Sequence, residues 1–156
     1  MKVRIITVLI LASSLSALSQ DIPIYTQYFA NPYLYNPAYA GYEGRPNFSV
    51  ANRRQWVGIE DAPITYNFTF HSPVVAGFNL GVNLTQDNYG IFQSNSALLT
   101  FGYTVNLGFN HFVSFGLSGG VGQQNIDYTN VNINDPALAN VLDQNLYLDG
   151  NAGLAY

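Results

Sequence analysis

Residues 64–122 carry the pattern that most restricts what this chain can fold into: apolar and polar side chains alternate, almost without charge. Ile64, Tyr66, Phe68 and Phe70 share one face of a period-two strand, with Thr65, Asn67, Thr69 and His71 on the other. The alternation returns as Phe78/Leu80/Val82/Leu84, as Leu99/Phe101/Tyr103/Val105/Leu107 and as Val113/Phe115/Leu117. Between Asp61 and Asp127 the single formal charge is Asp87, which the sequence places in a loop. A soluble sheet shows Lys, Glu, Arg and Asp to water, and such residues make up about a quarter of an average domain. Here the polar positions are Asn, Thr, Ser, Gln and Gly. Strands with an aromatic apolar face outward and a small polar face inward suit a barrel that sits in lipid. The expected fold is therefore all-β, an antiparallel transmembrane β-barrel of outer-membrane type.

The 156 residues suffice for one domain. Cysteine is absent, which excludes disulfides and thiolate metal sites. A pI of about 4.7 and five basic residues argue against a nucleic-acid partner, which needs clustered Lys and Arg. Residues 1–19 read as a signal peptide: Lys2 and Arg4 precede the apolar run Ile5–Ala12, and Ala17-Leu18-Ser19 offers a cleavage site. The apolar run is too short to span a bilayer as a helix, and no later segment is long enough. Cleavage leaves three arginines against nine acidic residues. An exported chain that enters a membrane must therefore do so by strands.

Residues 20–46 form a Tyr/Asn/Pro-rich segment with the pairs Asn31-Pro32 and Asn36-Pro37, unsuited to regular helix or ladder. Two readings fit it: a segment packed inside or under the barrel, or a docking surface for a periplasmic partner. Residues 47–156 form the barrel region, with about six strands. Strand one runs from Asn47 to Trp56, strand two from Ile64 to His71, and strand three from Ala76 to Gln86 after a turn at Ser72-Pro73. Strand four runs from Ser94 to Leu107, strand five from His111 to Asn125, and a sixth begins near Leu146. The links after strands one, three and five read as longer and external, those after two and four as short and periplasmic. Eight strands make the smallest common barrel, so this region is expected to hold the N-terminal strands of a larger, truncated one. Arg45, Arg53 and Arg54 read either as an anion site or as structural partners of Glu60, Asp61 and Trp56.

Two motifs bear a family resemblance. Tyr25-Thr26-Gln27-Tyr28, Asn31-Pro32 and Asn36-Pro37-Ala38-Tyr39-Ala40-Gly41 resemble the start of mature PorP/SprF proteins. Arg54-Gln55-Trp56-Val57-Gly58-Ile59, followed by Ala62-Pro63, is similar to that family's next signature. The resemblance implies an outer-membrane component of the type IX secretion and gliding-motility machinery. Such a protein assists export or surface attachment of large cargo such as adhesins, and has no catalytic activity. Its implied partners are outer-membrane lipid, other type IX components and secreted cargo. The motif residues it marks for family or partner contact are Tyr25, Gln27, Tyr28, Asn31, Pro32, Asn36, Pro37, Ala38, Gly41, Arg54, Gln55, Trp56, Gly58 and Pro63. Arg53, at a variable position, is not carried over. A soluble exported β-sandwich binding module and a small-solute outer-membrane pore are the alternatives.

No catalytic site, cofactor or metal site is expected. His71 and His111 sit at strand edges, and Ser72 points away from its neighbour His71. Asn130–Asp135 alternates oxygen ligands but lacks the glycine and glutamate of a calcium loop. Gly116, Gly119, Gly120 and Gly122 resemble a phosphate loop in composition alone. In a strand, such glycines mark curvature or the close approach of another backbone, such as an internal plug.

Overall fold

A computed structural model describes residues 29–59, 61–109, 111–126 and 145–156. Six strands form one sheet in sequence order: β1 (Asn47–Arg54), β2 (Ile64–Val75), β3 (Phe78–Tyr89), β4 (Phe92–Gly108), β5 (His111–Ile126) and β6 (Asn145–Ala155). Every neighbouring pair is antiparallel, and β1 and β6 are the two edges, so the sheet is open, a partial barrel. No α-helix occurs among the described residues; two 3₁₀ turns, Pro32–Leu34 and Pro37–Tyr39, precede the sheet. No helix there is long and apolar enough to cross a membrane.

The two faces of the sheet divide as the alternation requires. Outward rows run straight across the strands: Phe48, Phe70, Val82 and Leu99 stand opposite one another, as do Val50, Phe68, Leu84 and Ala97. On β4 this apolar band extends over 97–105. That matches the length of about 9–11 residues a tilted strand needs to cross the hydrocarbon of a bilayer. The inward face is polar and covered: Thr69 is 0% exposed, His71 1% and Thr100 1%, against 59% for Phe101 and 63% for Leu117. The core of this chain lies on its polar face.

Two turns differ from the sequence expectation. β2 does not turn at Ser72-Pro73; Pro73 pairs with Asn79, and the chain turns at Ala76-Gly77 after a register shift. Proline is tolerated there because the ladder is already broken by the bulge, close to the strand's end. Asp87 is in a strand rather than a loop. β3 and β4 continue past it to a two-residue turn, and Tyr89 and Phe92 stack across it with ring centroids 5.5 Å apart. Thr65 Oγ1 donates to Asp87 Oδ1 at 2.6 Å, which compensates the carboxylate on the inward face. The β3–β4 link is therefore short, and the expected alternation of short and long links fails there. The ends of β2 and β4 and the starts of β3 and β5 lie at one end of the sheet, and the ends of β1, β3 and β5 with the starts of β2, β4 and β6 at the other.

Candidate functional site

The inward face is occupied by the chain's own residues 29–44. Proline supplies the first residue of each 3₁₀ turn, where its missing N–H costs nothing, and Asn36 caps the second by accepting from the Ala38 N–H at 2.9 Å. These turns bury Tyr33, Pro37, Ala38 and Ala40. The segment crosses the sheet from side to side. Asn31 Nδ2 donates to Thr69 Oγ1 on β2 at 2.7 Å, and Asn36 Nδ2 donates to the Leu154 carbonyl on β6 at 3.0 Å. It then returns to β2, where the Gly41 N–H donates to His71 Nδ1 at 3.0 Å.

The strands are built to receive it. One cross-strand row reads His71, Gly81, Thr100, Ser118 and Asn151. Tyr33 lies over this row: its hydroxyl bonds Thr100 Oγ1 at 2.7 Å, Thr100 bonds Ser118 Oγ at 2.6 Å, and its ring meets His71 at 4.9 Å. Burial pushes the Tyr33 hydroxyl above its ordinary pKa, with the Thr100 bond opposing, so it stays protonated at neutral pH. The glycines are the floor. A Cβ on Gly81 would strike the Tyr33 ring, one on Gly116 the Pro37 carbonyl and Ala38 nitrogen, and one on Gly153 the Asn36 amide. Gly41 has φ +70°, and a Cβ there would meet Asn79. Thus the glycine-rich inward face permits close approach of another backbone.

Glu43 joins the segment to β1. Its carboxylate accepts from Asn47 Nδ2 at 2.8 Å and Arg45 Nε at 3.0 Å. Asn47 first and Arg45 second hold the Glu43 carboxyl below its ordinary range. Arg45 therefore pairs with Glu43 rather than with the acids of the next link, and Arg53 and Arg54 have no ion pair among the described residues.

The two motifs take opposite environments. Asn31, Pro32, Asn36, Pro37, Ala38 and Gly41 belong to the packed inward segment; Tyr25, Gln27 and Tyr28 lie outside the described residues. Arg54 ends β1, and the Gln55 N–H bonds the Pro63 carbonyl at 3.0 Å, adding one rung beyond the strands. Trp56 and Gly58 follow with φ of +49° and +100°, in an exposed loop whose Ile59 N–H returns to the Trp56 carbonyl at 3.1 Å. The two clusters are not brought together into one site.

Sequence reasoning missed the receiving residues Thr69, His71, Thr100 and Ser118. His71 is not an edge histidine; it is buried, and its Nδ1 is committed to Gly41. Their parity with the inward glycines was the available signal. His111, by contrast, is exposed and stacks on Tyr156 with ring centroids 5.8 Å apart. The oxygen-rich 130–135 stretch lies outside the described residues, as does the signal-peptide region.

An inverted sheet with a covered polar face is the arrangement of a membrane strand protein, and comparison of the sequence agrees. The family model described as type IX secretion system membrane protein PorP/SprF matches residues 17–156. The chain belongs to the PorP/SprF family. Comparison with curated proteins and with solved structures finds no match. PorP/SprF membership makes this a membrane protein of the type IX secretion system and associates it with that system's other components. Of the two family-like motifs, one thus anchors an internal segment and the other decorates the end of a hairpin.

Proposed function

We propose that the chain is an outer-membrane component of the type IX machinery that assists export or surface attachment of large cargo proteins such as adhesins, with no catalytic chemistry of its own. It reaches that membrane behind a cleaved signal peptide, residues 1–19. The observation that carries this reading is the N-terminal segment laid across a polar, glycine-floored face at the depth of the exposed aromatic band. A barrel wall needs hydrocarbon outside and a filled or aqueous interior, and this sheet offers both halves of that requirement. The covered face favours a closed lumen over a small-solute path at this level. The non-catalytic part of the reading is supported by the contacts of the two histidines, His71 Nδ1 with the Gly41 N–H and His111 Nδ1 with the Tyr156 hydroxyl, which suit structural roles.

Deleting the chain from its host tests the role, and cell fractionation tests the location. Loss of adhesin-type cargo from the cell surface, with heat-modifiable protein in the outer-membrane fraction of the parent, is expected. Recovery of folded protein from the soluble periplasm contradicts the location, and unchanged cargo display contradicts the role.

A further inference from the structure

The loop after β1 leaves a group of large apolar side chains uncovered. Trp56 is 67% exposed, Val57 81% and Ile59 64%. A water-facing hairpin loop gains nothing from such a group, and contiguous exposed apolar side chains mark a contact surface. Position in the sheet indicates the contact. Reading outward rows toward this end, Val50, Phe68, Leu84 and Ala97 form the last apolar one. Asn52, Tyr66, Gln86 and Asn95 form the next, and Arg54, Ile64, Asn88 and Gln93 the one after. Arg54 thus stands four residues beyond Val50, roughly 10 Å further along the membrane normal for a strand tilted by about 45°. That is the depth of lipid headgroups. On β1 and β2 the outward series runs from Val50 and Phe68 through Tyr66 to Arg54 and Trp56. That is the order of hydrocarbon, interfacial tyrosine, then cation with tryptophan, while β3 and β4 turn to amides at the same level.

We propose that Arg54 and the Trp56–Ile59 loop form a lipid-headgroup contact. Arg54 takes the phosphate of an anionic lipid, while Trp56, Val57 and Ile59 lie at the boundary of headgroup and acyl chain. The guanidinium is exposed and on the outward parity, and its planar fork of donors matches a phosphate. The second motif then serves to fix the depth and rotation of the first hairpin rather than to hold a secretion partner. This rests on the membrane placement of the sheet proposed above.

Trp56 is the one tryptophan of the chain, so its fluorescence reports on this loop alone. The chain is reconstituted into phosphatidylcholine vesicles with or without phosphatidylglycerol. Bromine is carried near the lipid headgroup or at the acyl-chain end, and iodide is added in the water. Headgroup-proximal bromine should quench Trp56 about twofold more than chain-end bromine, as for an interfacial ring. Phosphatidylglycerol should strengthen that quenching, Arg54→Gln should remove the increase, and Arg54→Lys should retain part of it. Quenching by iodide with none by either bromolipid, in protein that has inserted, overturns the proposal and leaves the membrane placement intact. Insensitivity to all three means protein covers the loop, and overturns it equally. Failure of the wild-type chain to insert overturns both readings. An Arg54→Gln variant that keeps the phosphatidylglycerol increase removes Arg54 from the contact.

Discussion

Along β4, Leu98, Thr100 and Gly102 are buried, while their neighbours Leu99, Phe101 and Tyr103 are 46%, 59% and 43% exposed. The buried set is a leucine, a threonine and a glycine, while the exposed set is uniformly large and apolar or aromatic. In a water-soluble sheet these environments are exchanged, because burial of apolar area drives folding. Here the polar face is ordered by hydrogen bonds to one segment of the same chain, and the apolar face is left exposed. The two faces thus obey different rules of burial. The inward side follows the rules of a protein interior, where most buried donors and acceptors are paired, with Asn67 Oδ1 an exception. The outward side has the pattern that suits a bilayer, in keeping with a membrane protein of this family.

Substitutions that break one face and spare the other sharpen this contrast. The largest effect is expected for Phe101→Lys, in the middle of the outward band. It should cost about 2–4 kcal/mol in bilayer refolding, since lysine at the midplane is left in hydrocarbon. Next is Gly116→Val, on the inward face. Its side chain meets the Pro37 carbonyl and Ala38 nitrogen, so the overpacked segment should lose about 1–3 kcal/mol. Proteolysis at 29–44 should quicken, while the strands still insert. Thr100→Val removes the hydroxyl shared by Tyr33 and Ser118 and should cost about 1–2 kcal/mol, read as faster hydrogen exchange in the same segment.

The smallest effect concerns Glu43. Its folded carboxyl titrates below the ordinary value of 4.5, so its contribution is present above that value and is lost as pH falls through the lower folded one. Protease sensitivity at the junction of the segment and β1 should therefore rise slightly on acidification across this window, and Glu43→Gln should flatten the dependence.

Much of the wall was legible in the sequence because period-two alternation over 64–122 fixes both strand and face without knowledge of register. The strand ends were less so. Pro73 and Asp87 read as breakers, yet the bulge before Val75 absorbs one and the Thr65 hydroxyl compensates the other. The role of residues 29–44 was visible only as two readings. Choosing between them depends on which strand residues the segment meets, and that depends on register: Asn31 reaches Thr69 from 38 positions away, and Asn36 reaches the Leu154 carbonyl from 118. The inward glycines held half of this information, namely that a backbone comes close, but not which one. For Arg45 the nearer acid decides: it turns back to Glu43, two residues away, a partner passed over in favour of the acids of the next link.

The chain contains no cysteine, so single-cysteine variants at each position from 97 to 105 can be spin-labelled in an otherwise native background. In reconstituted bilayers, accessibility to lipid-dissolved oxygen should alternate with period two. It should be high at 97, 99, 101, 103 and 105, with the labels between them restricted and shielded from oxygen. Uniform accessibility, or a water-soluble relaxant reaching 99 and 101, would show that hydrocarbon does not cover the aromatic face.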